Sequence, residues 1–447
     1  MDIKIPGDAL YIINTLEENG YEAYVVGGCV RDAILGMEAK DWDICTPALP
    51  EQTMKCFAGR HIVESGLSHG TITLVLNHQP FEITTYRAEG VYSDNRRPDS
   101  VEFIHTLQED LSRRDFTVNA MAYSPQRGFM DFFGGVGDMQ NHLIRCVGDA
   151  DKRFREDALR IMRALRFASV LSFSIEESTA AAICRNKGLL GNIAAERIAA
   201  ELNKLIVGRN AGNILLRYTP VMEEIIPEIQ GMAGFLQNNP HHYLDVWRHT
   251  VMSVTKSPPD VALRLTMLLH DIAKPGCYTE IDGIGRFYGH PQISSDMAKK
   301  ILARLKYDSD TIKTVRQLIL YHDADIQPKR TYIKRWLNKL GEERFRQLLE
   351  VKKADALAQA DKYRGAKIAA LDDIIPVLNE IIFQRQCFSL KDLAINGRDL
   401  IGIGVVEGAM IGRILNNLME MILDEQIEND RAKLLEKARE FIGSSAD

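Results

Sequence analysis

Two aspartates one residue apart, Asp41 and Asp43, stand in the segment Asp41-Trp42-Asp43-Ile44. Residues two apart in an extended segment face the same way, so both carboxylates fall on one side and Trp42 and Ile44 on the other. Hard oxygens side by side suit Mg²⁺, and paired divalent ions stabilise both the attacking and the leaving oxygen of an in-line phosphoryl displacement. Upstream, Gly27-Gly28-Cys29-Val30-Arg31-Asp32 offers the complement. A glycine pair between an apolar strand and a helix start lets the backbone approach an anion, with free N–H groups and the positive helix end pointing at it. Arg31 adds a forked cation suited to phosphate. A metal site and a phosphate cradle one short helix apart describe phosphoryl transfer.

The elements that must hold these groups follow from pattern. Residues 8 to 19 carry apolar positions at helical spacing and stop at Asn19-Gly20. The apolar run Ala23 to Val26 reads as a buried strand, and Val30 to Leu35 as a helix ended by Gly36. Thr71 to Leu76 and Phe81 to Thr85 read as a hairpin joined by Asn77 to Pro80. Glu82 on its second strand is either a third acidic ligand or a solvated strand-face residue. Tyr86 to Pro98 reads as a mobile polar loop, and Asp131-Phe132-Phe133-Gly134-Gly135 as a turn. Between them lies Asp110-Leu111-Ser112-Arg113-Arg114-Asp115-Phe116-Thr117-Val118-Asn119-Ala120. Adjacent arginines cannot share one helical face, so one reaches phosphate or ribose while the other pairs with a neighbouring acid.

A second charged stretch runs from Arg153 to Phe167. At helical periodicity Ala158, Ile161, Met162, Leu165 and Ala168 fall on one arc, Glu156, Arg160, Arg163 and Arg166 on the opposite arc, and Asp157 at the border. Taken alone this is an amphipathic surface helix laced with ion pairs such as Glu156 with Arg160. Its chemistry allows more. Cytosine and adenine both present an amino donor beside a ring-nitrogen acceptor, whereas uracil and guanine present a carbonyl beside an N–H. A carboxylate and a guanidinium one turn apart, as in Asp157 and Arg160, can accept from the first and donate to the second.

Residues 241 to 360 bring a different set: His249, His270-Asp271, His290, Tyr321-His322-Asp323 and Asp355, on helical segments. Imidazoles and carboxylates are the usual divalent-metal ligands of hydrolases. From Met410 to Leu423 an apolar helix follows, then a charged stretch from Asn429 to Arg439.

With 447 residues, 45% hydrophobic and 26% charged, the chain has room for two to four domains. No charged-then-apolar leader and no run of about 18 apolar residues is found, so the expected location is the cytoplasm, with no membrane association. Seven cysteines without a C-x-x-C pair argue against a disulfide framework and read as small buried hydrophobes. A net charge of −6 argues against diffuse adhesion to nucleic acid, so any RNA contact must rest on a local basic surface.

Together, Gly27-Gly28-Cys29-Val30-Arg31-Asp32, Asp41-Trp42-Asp43, Arg113-Arg114-Asp115-Phe116-Thr117-Val118-Asn119-Ala120 and Glu156-Asp157 through Phe167 resemble the class II nucleotidyltransferases: the tRNA CCA-adding enzymes and bacterial poly(A) polymerases. The resemblance implies an α+β protein, a head with a small mixed β-sheet followed by mostly helical neck, HD-like, body and tail domains, at 1–145, 146–235, 236–365 and 366–447. It implies Mg²⁺ on Asp41 and Asp43, triphosphate and ribose on Gly28, Arg31 and Arg114, and base selection by Asp157 and Arg160, with Arg163 and Arg166 also at the nucleotide site. The loop ending in Arg96-Arg97-Pro98 favours full C-C-A addition. The histidine set resembles HD-type metal-dependent phosphohydrolases, which implies that His249, His270, Asp271 and Asp355 bind a second divalent metal, with His290 and His322 near a further one. This HD-like domain is expected to be an insertion. Expected partners are tRNA, through its acceptor arm and 3′ end, with CTP and ATP, and no protein. A poly(A) polymerase is the nearest alternative; another is a phosphohydrolase whose head merely recognises RNA ends. The compact tail and the intact Asp157/Arg160 pair favour CCA addition.

Overall fold

A computed structural model of the chain describes residues 3–39, 41–89, 101–406 and 408–443. The chain divides into two compact units, residues 1–227 with 304–306, and residues 228–303 with 307–447.

The first unit opens with α1 (Gly7–Glu18), whose Ile12, Ile13 and Leu16 are fully buried. Each such side chain contributes about 1.5–3 kcal/mol by leaving water. Next come β1 (Tyr24–Val26), α2 (Gly28–Ile34), β2 (Ile44–Thr46), α3 (Pro50–Cys56) and β3 (His61–Val63). The predicted hairpin is present as β4 (Thr71–Leu76) and β5 (Gln79–Thr85). Its turn is tighter than expected. Only Asn77 and His78 leave the strands, at φ of 48° and 65°, the left-handed pair a two-residue hairpin demands, and Pro80 lies in the strand opposite Val75.

The segment read as a polar loop begins as a strand, β6 (Arg87–Glu89), paired with β7 (Val101–Phe103). Residues 90–100, including Arg96-Arg97-Pro98, lie outside the described residues. Then follow α4 (Leu107–Ser112), β8 (Met121–Ser124), β9 (Gly128–Asp131) and α5 (Gly135–Gln140). Asp131 makes the expected turn by accepting from the Gly135 and Val136 N–H groups. The sheet runs β3-β4-β5-β2-β1-β8-β9, antiparallel except for β2 beside β5.

The helical part of this unit contains β10 (Leu143–Ile144) paired with β11 (Ser174–Ile175), and α6 (Ala150–Glu156), α7 (Leu159–Leu171), α8 (Glu177–Asn186), α9 (Ala195–Ile206), α10 (Ala211–Arg217) and α11 (Thr219–Ile225). The stretch from Arg153 to Phe167 is therefore not one helix. It breaks at Asp157, which is extended at φ −135° and ψ 105°, and its carboxylate caps the next helix by accepting from the Leu159 N–H at 3.0 Å. Helix α9 packs along α7 so closely that a Cβ on Gly208 would sit 2.2 Å from Ser169 Oγ, so only glycine fits there.

The second unit is nearly all helix: α12 (Val246–Lys256), α13 (Val261–Leu269), the ribbon β12 (Tyr278–Ile281) with β13 (Ile284–Phe287), α14 (His290–Arg304), α15 (Ser309–Tyr321), α16 (Arg330–Leu340), α17 (Glu342–Leu357), α18 (Asp361–Asp372), α19 (Ile374–Phe383), α20 (Gly397–Gly402), α21 (Ala409–Leu423) and α22 (Arg431–Gly443). Asp245, Asp260 and Asp308 cap α12, α13 and α15, satisfying N–H groups that helix starts leave without partners. A separate core gathers Leu400, Ile414, Leu418, Ile422 and Leu434 near its C-terminus. Among the described residues, no helix is long and apolar enough to cross a membrane. Cysteines 29, 45, 146 and 387 are buried as expected, but Cys184 is exposed and Cys56 and Cys277 are half-buried.

Candidate active site and candidate metal centre

Register brings the head's acidic groups together. Ile44 and Ile83 are buried partners across β2 and β5, so Asp43 and Glu82, each one residue earlier, emerge on the same face of neighbouring strands. Asp41 and Asp43 are exposed, Trp42 is half-buried and Ile44 buried, the alternation expected of an extended segment. Enough protein surrounds the Asp43 carboxyl that burial, followed by the charge of Glu82, pushes it up to about 6, with Arg114 opposing and Asp41 adding. A carboxyl raised by its acidic neighbours in this way is short of a cation, and oxygen-only donors fit a hard ion such as Mg²⁺. Glu82, which pattern left undecided, belongs to this group.

The phosphate side lies next to it. Gly27 enters α2 at φ 84° and ψ −125°, a conformation closed to other residues. A Cβ there would meet Arg114 Nη1 at 3.0 Å, and one on Gly28 would lie 3.7 Å from Arg31 Nη2. Both guanidiniums therefore flank the glycine pair. The buried Nε of Arg114 has no acceptor. The two neighbouring arginines share one acid: Asp110, wholly buried, takes Arg113 at 2.8 Å and Arg114 at 3.5 Å.

Arg31 donates to Asn119 Oδ1 at 2.6 Å, and Asn119 in turn donates to Asp115 Oδ1 at 3.1 Å. Arg163 closes the chain on Asp115 Oδ2 at 2.6 Å. Burial works against ionisation of Asp115, but Arg163 and Asn119 outweigh it and bring the carboxyl down to about 2. The guanidiniums of Arg31, Arg163 and Arg166 lie 4.9, 5.5 and 3.7 Å from the centre of the Phe167 ring. Arg166 is also bonded to Glu201 at 2.5 Å.

Arg160 departs from the pattern reading. It is buried rather than on the solvent arc, and it donates to Glu156 at 2.7 Å and to the carbonyl of Arg113 at 3.1 Å. Asp157 takes Arg197 at 3.0 Å. The roles of Asn119, Phe167 and Arg197 could not be read from spacing, because the contacts with Arg31 and Asp157 that reveal them are 40 or more positions away.

The histidine set of the second unit converges completely. Asp271 Oδ2 lies 3.5 Å from His249 Nε2 and 3.2 Å from His270 Nε2, while its Oδ1 lies 3.4 Å from His290 Nε2 and 3.9 Å from His322 Nε2. Asp355 Oδ1 is 2.9 Å from His249 and 3.6 Å from His270. All four imidazoles set Nδ1 against a backbone carbonyl: Ala358 at 3.4 Å, Met267 at 2.7 Å, Phe287 at 2.8 Å and Ile319 at 2.6 Å. A proton on Nδ1 leaves the Nε2 lone pair facing inward, the tautomer of a metal ligand.

Buried His270 Nε2 and both Asp271 oxygens have no hydrogen-bond partner. Lys274 Nζ approaches Asp271 Oδ2 at 2.6 Å as an ion pair. A buried group left without a hydrogen bond costs about 1–3 kcal/mol, a cost that a divalent ion placed among these atoms would remove. Burial lowers His270, but Asp271 and Asp355 outweigh it and lift it to about 9, while burial and His270 hold His322 down at about 3. Two triads emerge, His249/His270/Asp271 and Asp271/His290/His322, with Asp271 in both. A cavity of about 300 Å³ opens onto them, with Lys274, Arg286, Tyr288 and Lys367 in its wall.

Residues 23–145 match the poly A polymerase head domain, which places the first unit among the nucleotidyltransferases. Residues 172–232 match the probable RNA and SrmB-binding site of polymerase A, and residues 279–438 match a putative tRNA nucleotidyltransferase domain 2. The chain is 33% identical over 432 residues to a CCA-adding enzyme of Lactobacillus delbrueckii, covering 96% of each, and 34% identical over 430 residues to one of Lactobacillus helveticus, covering 94% of each. Its structure resembles that of the Bacillus stearothermophilus CCA-adding enzyme in complex with CTP, with a TM-score of 0.71, 27% identity and 98% of each chain covered. The chain belongs to the CCA-adding enzyme family. These relatives align along nearly its whole length.

Proposed function

We propose that the protein adds C, C and A to the 3′ end of tRNA from CTP and ATP. The observation that supports this most is the meeting of Asp43, Glu82 and Arg114 beside the Gly27-Gly28 turn, which pairs a cation-hungry acidic face with an anion-hungry basic one. Asp41 and Asp43 would hold Mg²⁺, which supplies charge neutralisation at the attacking 3′-oxygen and the triphosphate. Gly28, Arg31 and Arg114 bind the triphosphate and ribose. Arg31 keeps its orientation through Asn119 and Asp115, so the phosphates meet a preorganised donor set. Asp157 and Arg160 select the base, and Arg163 and Arg166 complete the nucleotide site. For Arg160 to donate to a ring nitrogen, its bond to Glu156 must open or be shared on nucleotide binding.

The proposed organisation is a head at 1–145, a neck at 146–235, an HD-like domain at 236–365 and a tRNA-holding body and tail at 366–447. The test is incorporation of labelled CTP and ATP on tRNAs ending before C74, C75 and A76. Stepwise gain of the missing residues is expected. A long A tract without C overturns the reading in favour of poly(A) synthesis.

A second activity is favoured by the orphaned atoms at His270 and Asp271. The second unit would hold a divalent ion on His249, His270, Asp271 and Asp355, and another beside His290 and His322 through the second oxygen of Asp271. Such ions supply an activated water for phosphoester hydrolysis. Lys274 lines the cavity where a substrate phosphate would sit. Hydrolysis of a generic phosphodiester by the wild type, lost in His270→Ala while CTP incorporation persists, is the expected result. Equal hydrolysis by both proteins overturns it.

A further inference from the structure

Two cavities of the second unit share a wall. The one that opens onto the histidine set has Asn239, His242, Arg286, Tyr288 and Lys367 among its lining residues, and a second, of about 600 Å³, has Leu236, Asn239, His242, Tyr243 and Ile284. Asn239 and His242 belong to both. This shared wall is a closed turn: the His242 N–H donates to the Asn239 carbonyl at 3.0 Å, and Asn239 Oδ1 accepts from the His241 N–H at 2.9 Å. It is tied on two sides. Asn239 Nδ2 donates to the carbonyl of Gly285 on β13 at 3.1 Å, and the Ala360 N–H, just past α17, donates to the carbonyl of His241 at 3.0 Å. Strand β13 runs so near that a Cβ on Gly285 would meet the Gln237 carbonyl oxygen at 2.1 Å, so glycine alone permits the approach.

The two sides of the wall differ in chemistry. Beside the histidine set stand the cations Arg286 and Lys367 and the ring of Tyr288, 65% exposed; across the wall the surface is neutral, with Leu236, Ile284 and the ring of Tyr243, 62% exposed. These are the two most exposed tyrosines among the described residues. The buried Nδ1 of His242, within the wall, has no hydrogen-bond partner. A phosphate alone needs only the cations, whereas an open ring on either side of them serves two flat groups. Nucleobases flank every phosphodiester of a single strand, and any base can stack on an aromatic ring once it is free of a duplex.

We propose that the substrate of the second centre is a single-stranded nucleic acid, with the reacting phosphodiester beside Arg286 and Lys367, one flanking base on Tyr288 and the other, across the Asn239–His242 wall, on Tyr243. The inference rests on the hydrolytic reading of the histidine set and names its substrate class. Hydrolysis consumes one water: its oxygen bonds to phosphorus as the bond from phosphorus to one sugar oxygen breaks. That sugar oxygen takes a proton and leaves as a hydroxyl, and the phosphate stays on the other nucleoside as a monoester. A mononucleotide reaches Tyr288 alone, so Tyr243 acts only on longer ligands.

The test uses the full chain loaded with Mn²⁺ and a dinucleotide of iodouridine whose phosphorothioate linkage resists hydrolysis. Irradiation joins iodouracil to an aromatic ring it touches, and peptide mapping by mass spectrometry is expected to find adducts on Tyr243 and Tyr288. As an inhibitor of bis(p-nitrophenyl) phosphate hydrolysis the dinucleotide should weaken about tenfold in Tyr243→Ala, the worth of one stacked base, while uridine monophosphate inhibits variant and wild type alike. Tyr243→Phe, which keeps the ring, should restore the dinucleotide's inhibition. Adducts on neither tyrosine, or an equal loss for dinucleotide and mononucleotide, overturn the proposal. If wild type and His270→Ala hydrolyse bis(p-nitrophenyl) phosphate equally, the hydrolytic reading falls and this inference with it. If only the wild type hydrolyses it and the dinucleotide inhibits Tyr243→Ala as it does the wild type, the substrate class alone is overturned.

Discussion

The two acidic centres of this chain, each proposed to hold a divalent ion, are built in opposite ways. In the head, Asp41 and Asp43 keep open surface at the start of a strand, and the donors are oxygens only. In the second unit, His249, His270 and Asp271 are buried, four imidazoles are pre-turned by backbone carbonyls, and His270 Nε2 and Asp271 Oδ1 have no hydrogen-bond partner. An open oxygen site suits an ion that arrives with a nucleotide and leaves with pyrophosphate, because Mg²⁺ keeps several of its waters. A closed nitrogen-rich site suits an ion that stays with the fold. On the proposed reading, the contrast teaches that the same formal charge would serve a transient ligand at one place and a resident one at the other.

The largest expected effect breaks the head centre alone. Asp43→Ala removes a metal ligand worth several kcal/mol at the transition state and should lower CTP incorporation about a thousandfold. Because the residue is exposed, the melting temperature should stay within a few degrees, as thermal denaturation would show. Asp271→Asn should do the reverse. It takes the charge from both triads, so metal content after reconstitution with Mn²⁺ should fall at least tenfold by elemental analysis, while incorporation remains near wild type. Parallel loss of both activities in either variant would erase the distinction drawn above.

A finer probe is Gln359, whose Nε2 donates to Asp355 Oδ2 at 2.7 Å while its Oε1 accepts from Lys367 at 2.7 Å. Partners that orient a ligand typically change metal affinity 10- to 100-fold. Gln359→Ala should therefore weaken Mn²⁺ binding by about tenfold in calorimetric titration and leave the head untouched. The smallest effect concerns pH. The Asp115 carboxyl is held at about 2, below its ordinary range, so its stabilisation is complete above about pH 5 and is lost as pH falls from about 4 through 2. The drop is about 2 kcal/mol. Asp115→Asn should flatten that part of the acid-unfolding profile, which urea denaturation between pH 2 and 6 would measure.

Much of this was readable from residue order. Strand, glycine pair, helix and Asp41-Trp42-Asp43 signal a compact local unit, and the unit forms as spacing predicts. The histidines and Asp355, scattered over about a hundred residues, were recognisable as a set by type and order. What periodicity could not show was the break at Asp157, where a side chain outcompetes the helical backbone by capping the following turn. Nor could it show the burial of Arg160, which depends on Glu156 and the carbonyl of Arg113. That Glu82 lies beside Asp43 emerged only from strand register, because pairing between strands distant in sequence leaves no local pattern. The carbonyls behind the imidazoles belong to the backbone and leave no trace in residue identity.

The shared Phe167 ring has one more consequence. Arg31 rises from the glycine-pair helix and Arg163 and Arg166 from the neck helix, and all three rest on that ring, with Asn119 and Asp115 stitching the first two together. On the proposed reading, the end of the pocket that grips phosphates and the end that reads the base are parts of one gauge of set length. Exchanging a pyrimidine for a purine then calls for small rotations of the nucleotide and of the carboxylate above it, because sliding the neck along the head would mean prying Arg31 from the Phe167 ring and breaking the Asn119–Asp115–Arg163 chain.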